Sequence, residues 1–124
     1  MRCTFLIAMS LFAAHPAARA DVVDVLWSSD GRFAHESTIV PGKFAEVCSK
    51  LPVSASVRWE FDASSPLDFN IHYHAGKDVV FPSKLSAVAT ANNTLRARVA
   101  QDYCWMWSNK SAEPVTLNVK LQRE

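Results

Sequence analysis

"VRWEFDASSPLDFNIHYH", Val57 to His74, alternates apolar and polar residues on both sides of a short interruption. Before it, Ala55, Val57, Trp59 and Phe61 fall on one side of the chain, with Ser56, Arg58 and Glu60 on the other. After it, Leu67, Phe69, Ile71 and Tyr73 face one way, and Asp68, Asn70, His72 and His74 the other. A repeat of two residues is the signature of a half-buried strand, since side chains alternate between the faces of a sheet. The interrupting "DASSP" carries turn chemistry. The stretch therefore predicts two strands joined by a turn.

The same period runs through the rest of the chain. "TLRARVA" sets Leu95, Ala97 and Val99 against Arg96 and Arg98, "DYCWMWSN" sets Tyr103, Trp105 and Trp107 against Cys104 and Met106, and "PVTLNVKLQ" alternates from Val115 to Leu121. "DVVDVLW" and "STIV" are shorter strand candidates, and "KDVVF" is one that Pro82 should stop. "KFAEVCSKL" fits a strand or a helical turn, and "KLSAVATA" fits helix, strand or loop. "AGKD" and "ANNT" carry turn residues. No segment shows a helical stripe of convincing length. Many short strands separated by turns predict an all-β fold, a single antiparallel β-sandwich of GOLD or jelly-roll type.

Residues 1–20 fit a signal peptide: a positive start at Arg2, the apolar run "CTFLIAMSLFAA", and Ala18-Arg19-Ala20 as a cleavage site. The expected mature chain, residues 21–124, forms one domain that is periplasmic or secreted and has no transmembrane anchor. Removing Arg2 and Arg19 from the 13 basic residues leaves 11 against 12 acidic ones, a net charge of −1. That balance argues against nucleic acid or an anionic membrane as the main partner, because both require a basic face. Cys3 leaves with the leader, and Cys48 and Cys104 remain. In an oxidising compartment such a pair predicts one disulfide, worth roughly 3–5 kcal/mol on the chain-entropy model. A pair of thiolate metal ligands is the alternative.

With these strands in place, "VRWEFDASSPLDFNI" resembles the central motif of GOLD domains, the β-sandwich modules of secretory cargo receptors and certain lipid-transfer proteins. Trp59 and Phe61 match its aromatic-x-aromatic strand end, and Leu67, Phe69 and Ile71 its following strand. "YCWMWSNKS" is similar to the family's later run, with Tyr103, Trp105, Trp107, Asn109 and Ser111 in register. The likeness covers roughly residues 43–122. The coiled coil and membrane helix of the cargo receptors are missing, and their typical cysteine would align nearest to Met106. The resemblance implies a non-catalytic sandwich that recognises a protein or an envelope component.

The residues offer one other chemistry. His72 and His74, two apart on a strand, project from one face about 6.6 Å from each other. Met106, which points away from the apolar face of its own strand, is the third candidate ligand if the two strands are neighbours. Two imidazoles and a thioether form a soft set that favours copper as Cu(I). The competing reading has both histidines facing solvent as ordinary polar residues. Motifs of nucleophilic, metalloprotease or phosphate-binding enzymes are absent, so no catalytic residues are assigned and the protein is expected not to be an enzyme.

Overall fold

The computed structural model describes residues 21–124, and the leader assigned to residues 1–20 lies outside them. Seven strands follow in order: β1 (Asp21–Asp24), β2 (Arg32–Ile39), β3 (Phe44–Leu51), β4 (Ser56–Ala75), β5 (Asp78–Arg96), β6 (Gln101–Ser108) and β7 (Val115–Arg123). They form an all-β sandwich in the order β1-β3-β6-β4-β7-β2, with β5 hydrogen-bonded to β4 off this path. Every pairing is antiparallel except that of β1 with β3.

Strand β4 belongs to both halves of the sandwich. Its first part, Val57–Ala63, pairs with β7, and its second, Asp68–His72, pairs with β6. Between them lies the "DASSP" segment, which bends the strand without reversing it. Register slips there, between Asp62 and Leu67. Pro66 has no N–H to donate, and such a residue is tolerated where a ladder is already broken. Ser64 Oγ accepts a hydrogen bond from the Thr116 backbone N–H at 2.9 Å, which satisfies that amide at the end of the β4–β7 ladder.

The expectation of many short strands is corrected here. β4 runs for 20 residues and β5 for 19, and together they make one long hairpin. Of the turns expected, only "AGKD" reverses the chain. "ANNT" lies inside β5, where Asn92 faces Glu60 and Asn93 faces Trp59. Pro82 does not stop β5 either, because it falls in a bulge: Ile71 pairs with Ser83 and Tyr73 with Val80, so Phe81 and Pro82 together oppose His72. A second bulge sets Ser86 and Ala87 against Asp68. Ala87 there has φ 51°, and its N–H donates to Asp68 Oδ1 at 2.9 Å. "TLRARVA" stops being strand at Arg96, while "KFAEVCSKL" and "KLSAVATA" are both strand.

Alternation predicted the core well. Val57, Trp59, Phe61, Leu67, Phe69 and Ile71 of β4 are buried with Tyr103, Trp105 and Trp107 of β6 and alternate residues of β7. An aromatic cluster joins the two halves: Trp107 meets Phe61 edge-on at 5.6 Å and Phe69 at 5.4 Å, and Phe69 lies 4.8 Å from Trp59. Such pairs add to the burial energy of the rings. At the open side, Asp21 Oδ2 accepts from Ser37 Oγ at 2.8 Å and lies 3.3 Å from His35 Nε2, tying β1 to β2.

Asn109, 1% exposed just after β6, holds the loops at one end. Its side-chain amide donates to the carbonyls of Ile39 and Glu113, both at 2.8 Å. Its oxygen accepts from the Ser111 N–H and hydroxyl at 2.9 and 2.7 Å. Every polar atom of the side chain is used. Asn109→Ala removes all four hydrogen bonds, and it should lower unfolding free energy by about 3 kcal/mol; Ser111→Ala should cost about 1 kcal/mol. Urea titrations followed by tryptophan fluorescence measure both, and a loss below that of Ser111→Ala would remove Asn109 as the organising residue.

Candidate functional site

The outer face of β3, β6 and β4 carries most of the chemically capable residues of the chain. Strand register arranges them as a grid. Glu46 faces Met106, which faces Asn70; one pair further on, Cys48 faces Cys104, which faces His72. The Cys48–Cys104 disulfide joins β3 directly to β6, as the cysteine count predicted. Glu46 and His72 lie on opposite sides of β6, yet their side chains meet above it, with His72 Nε2 3.1 Å from Glu46 Oε1. The other ring nitrogen, Nδ1, is 2.8 Å from Asn70 Oδ1.

His72 is not the solvent-facing residue that one sequence reading made it. It is 7% exposed, with Glu46, Asn70 and His74 around the ring and, from the bulge at Phe81–Pro82, the Phe81 ring 6.1 Å away. Lys84 Nζ sits 4.7 Å from that same ring. His74 is exposed and meets His72 edge-on, with ring centroids 5.4 Å apart. Met106 reaches this face too, but it opposes Asn70, four residues along β4 from His74. That spacing is about 13 Å along a strand. Among the described residues, the ligand-type side chains that do converge are Glu46, His72 and Cys104, with donor atoms within 4.8 Å of one another. Glu46 carried no sequence signal, since it comes from a segment whose alternation is blurred by Cys48 and Ser49.

A second candidate surface is the end of the β4–β5 hairpin. The β4–β6 ladder stops at His72, while the hairpin continues for three more pairs, Tyr73–Val80, His74–Val79 and Ala75–Asp78. Tyr73 stays anchored by an edge contact to Tyr103 at 5.1 Å. Beyond it, Val79, Val80 and Phe81 are 42%, 37% and 44% exposed. Consecutive exposed apolar residues on an extended ribbon mark a contact surface. Away from the hairpin tip, a concavity of about 990 Å³ lies over β2, β7, β4 and β5. Its lining is mixed, with Phe33, Trp59 and Leu121 beside Glu60, Asn92 and Lys120, and Arg32 paired to Asp30 at 3.4 Å and Arg58 to Glu124 at 2.9 Å on its rim.

No protein-family model matches the chain, and no curated protein matches it in sequence. Solved structures do match in fold. Aeromonas hydrophila PliG, a periplasmic lysozyme inhibitor of g-type lysozyme, superposes with a TM-score of 0.65 at 10% identity, over 86% of this chain and 98% of that one. A mutant of Escherichia coli PliG gives a TM-score of 0.60 at 13% identity, over 86% of this chain and 100% of that one. The pre-peptidase C-terminal domain of a Bacillus anthracis collagenase gives 0.59 at 5% identity, over 87% of this chain and 99% of that one. The chain thus has a β-rich sandwich fold of the kind these proteins share. What holds of the resemblance to GOLD domains is the sandwich itself.

Burial pushes the His72 pKa below the ordinary imidazole value, and this outweighs the neighbouring Glu46 carboxylate, which pulls it up; His74 adds a smaller push downward. The unfolded chain therefore takes up a proton before the folded one does. Stability should be level above the unfolded value of about 6.5 and fall as pH drops through it toward the lower folded value. His72→Gln should flatten that part of the profile. Urea midpoints measured from pH 8 down to 5 test this, and an unchanged slope in the variant would show that His72 does not contribute it.

Proposed function

We propose that the protein is a small exported, non-catalytic module that binds another protein, with the β4–β5 hairpin as its contact element. The observation that carries the reading is the fold likeness to the periplasmic lysozyme inhibitors. Three further features support it. The disulfide suits an oxidising compartment, residues 1–20 have the pattern of a cleaved leader, and the hairpin exposes Val79, Val80 and Phe81 together. Among the described residues, no helix is long and apolar enough to cross a membrane.

The partner proposed is a lysozyme of the g-type, by analogy with the PliG proteins. Added to such an enzyme, the protein should reduce cell-wall lysis in proportion to its concentration and co-elute with it on sizing. Val79→Asp places a charge where apolar contact is needed. It should weaken the complex at least about tenfold, because an unpaired carboxylate buried against a partner is costly, while leaving the fold intact, since Val79 is exposed in the free chain. Undiminished lysis together with separate elution would remove the lysozyme as partner.

A second reading keeps two of the three expected copper ligands, His72 and His74, favoured by the 5.4 Å between the two imidazole rings; Met106, opposite Asn70, stands too far from His74 to join them. It expects the oxidised protein to bind about one copper ion through the two imidazoles. Replacing both histidines by alanine should abolish that binding, and equal binding by the double variant would end this reading.

A further inference from the structure

We propose that, once the Cys48–Cys104 bridge is reduced, the two cysteine sulfurs, His72 Nε2 and Glu46 Oε1 form a four-ligand site for a borderline-soft divalent metal ion such as zinc. The ligand set differs from the copper set above, and neither His74 nor Met106 takes part. Three of the four ligands already converge, and the fourth is bonded to one of them. Donor atoms of Glu46, His72 and Cys104 lie within 4.8 Å of one another, and Cys48 Sγ is bonded to Cys104 Sγ. A tetrahedral ion with bonds of about 2.0–2.3 Å requires ligand atoms about 3.3–3.8 Å apart. Breaking the S–S bond lets the sulfurs separate, and small side-chain rotations draw the other two groups inward.

An independent observation points the same way. With the Asn70 oxygen 2.8 Å from His72 Nδ1, the tautomer that fits carries its hydrogen on Nδ1, because an amide oxygen only accepts. In that tautomer the neutral ring presents the lone pair of Nε2 to a carboxylate oxygen 3.1 Å away. Two acceptors then face each other, and a metal ion between them satisfies both. An imidazole fixed by a hydrogen bond at one nitrogen and free at the other is how proteins orient a metal-binding histidine.

The chemistry balances with an external dithiol or phosphine as reductant. Two electrons and two protons cleave the S–S bond into two thiols while the reductant is oxidised. The metal ion then displaces the two thiol protons, since thiolate is the binding form. Bridge and metal are alternative ways of holding β3 to β6 at the same position.

Cobalt(II) is a visible stand-in for zinc. The protein reduced with a phosphine without oxygen should take up about one Co(II), with sulfur-to-metal absorption in the near ultraviolet and the visible bands of a tetrahedral ion; zinc should displace it. The oxidised protein should show neither. His72→Ala and Glu46→Gln should each weaken binding at least about tenfold, whereas His74→Ala and Met106→Leu should leave it unchanged. Absence of these bands in the reduced protein, equal affinity in His72→Ala, or equal binding by the oxidised form would each overturn the proposal. So would a circular dichroism spectrum in which the reduced chain loses its strand signal and the metal does not restore it.

Discussion

A strand in the middle of a sheet must be hydrogen-bonded along both edges, and β4 meets that demand only by changing partners. One of its edges is β7 from Val57 to Ala63 and β6 from Asp68 to His72. The other edge is β5 throughout. A straight strand could not lie beside both β7 and β6 while their apolar faces meet across the core. The slip at Asp62–Pro66 supplies the bend, and the aromatic cluster fills the angle it creates. Phe61 precedes the bend and Phe69 follows it, yet their rings are 5.0 Å apart. Trp107 packs against both. Bend and cluster specify each other.

That dependence explains what sequence alone could convey. Period-two alternation identified the inward residues of β4, β6 and β7, because burial on one face selects apolar side chains at every second position. The cysteine pairing was legible by count: Cys48 and Cys104 are the only cysteines of residues 21–124. Strand lengths were not legible. "DASSP" and "ANNT" have the composition of turns, but they lie in strands whose backbone groups find partners across a bent hairpin. Pro82 would end a regular strand, and it is accommodated because the bulge opposite His72 requires no hydrogen bond from it. Turn propensity is local, and the pairing that overrides it comes from residues 20 or 30 positions away.

The candidate site was half legible. Alternation placed His72, His74, Cys104 and Met106 on outer faces, and the adjacency of β4 and β6, which the sequence left as a condition, is met. Sequence could not supply the registry, and registry decides which of them meet. Cys104, not Met106, stands opposite His72. Glu46 enters only because its side chain and that of His72 span β6 from opposite sides. Asn109 shows the opposite case: the motif that suggested a GOLD-like sandwich marked it, and the structure gives it a structural task that any sandwich with this loop arrangement could use.

Phe81 links the two surfaces discussed above. In a regular ladder one residue of β5 would oppose His72, and alternation would settle which face it took. The bulge places two residues there instead, so Phe81 can lie over the imidazole while Val79 and Val80 continue the exposed ribbon. The residue is nearly half exposed, and the Lys84 ammonium lies 4.7 Å from the ring centroid. The side chain therefore stands beside a histidine and forms part of an apolar tip. The lowered proton affinity of His72 arises mainly from burial, and the same bulge that lets Pro82 stay within β5 sets an aromatic ring on the hairpin side of that imidazole.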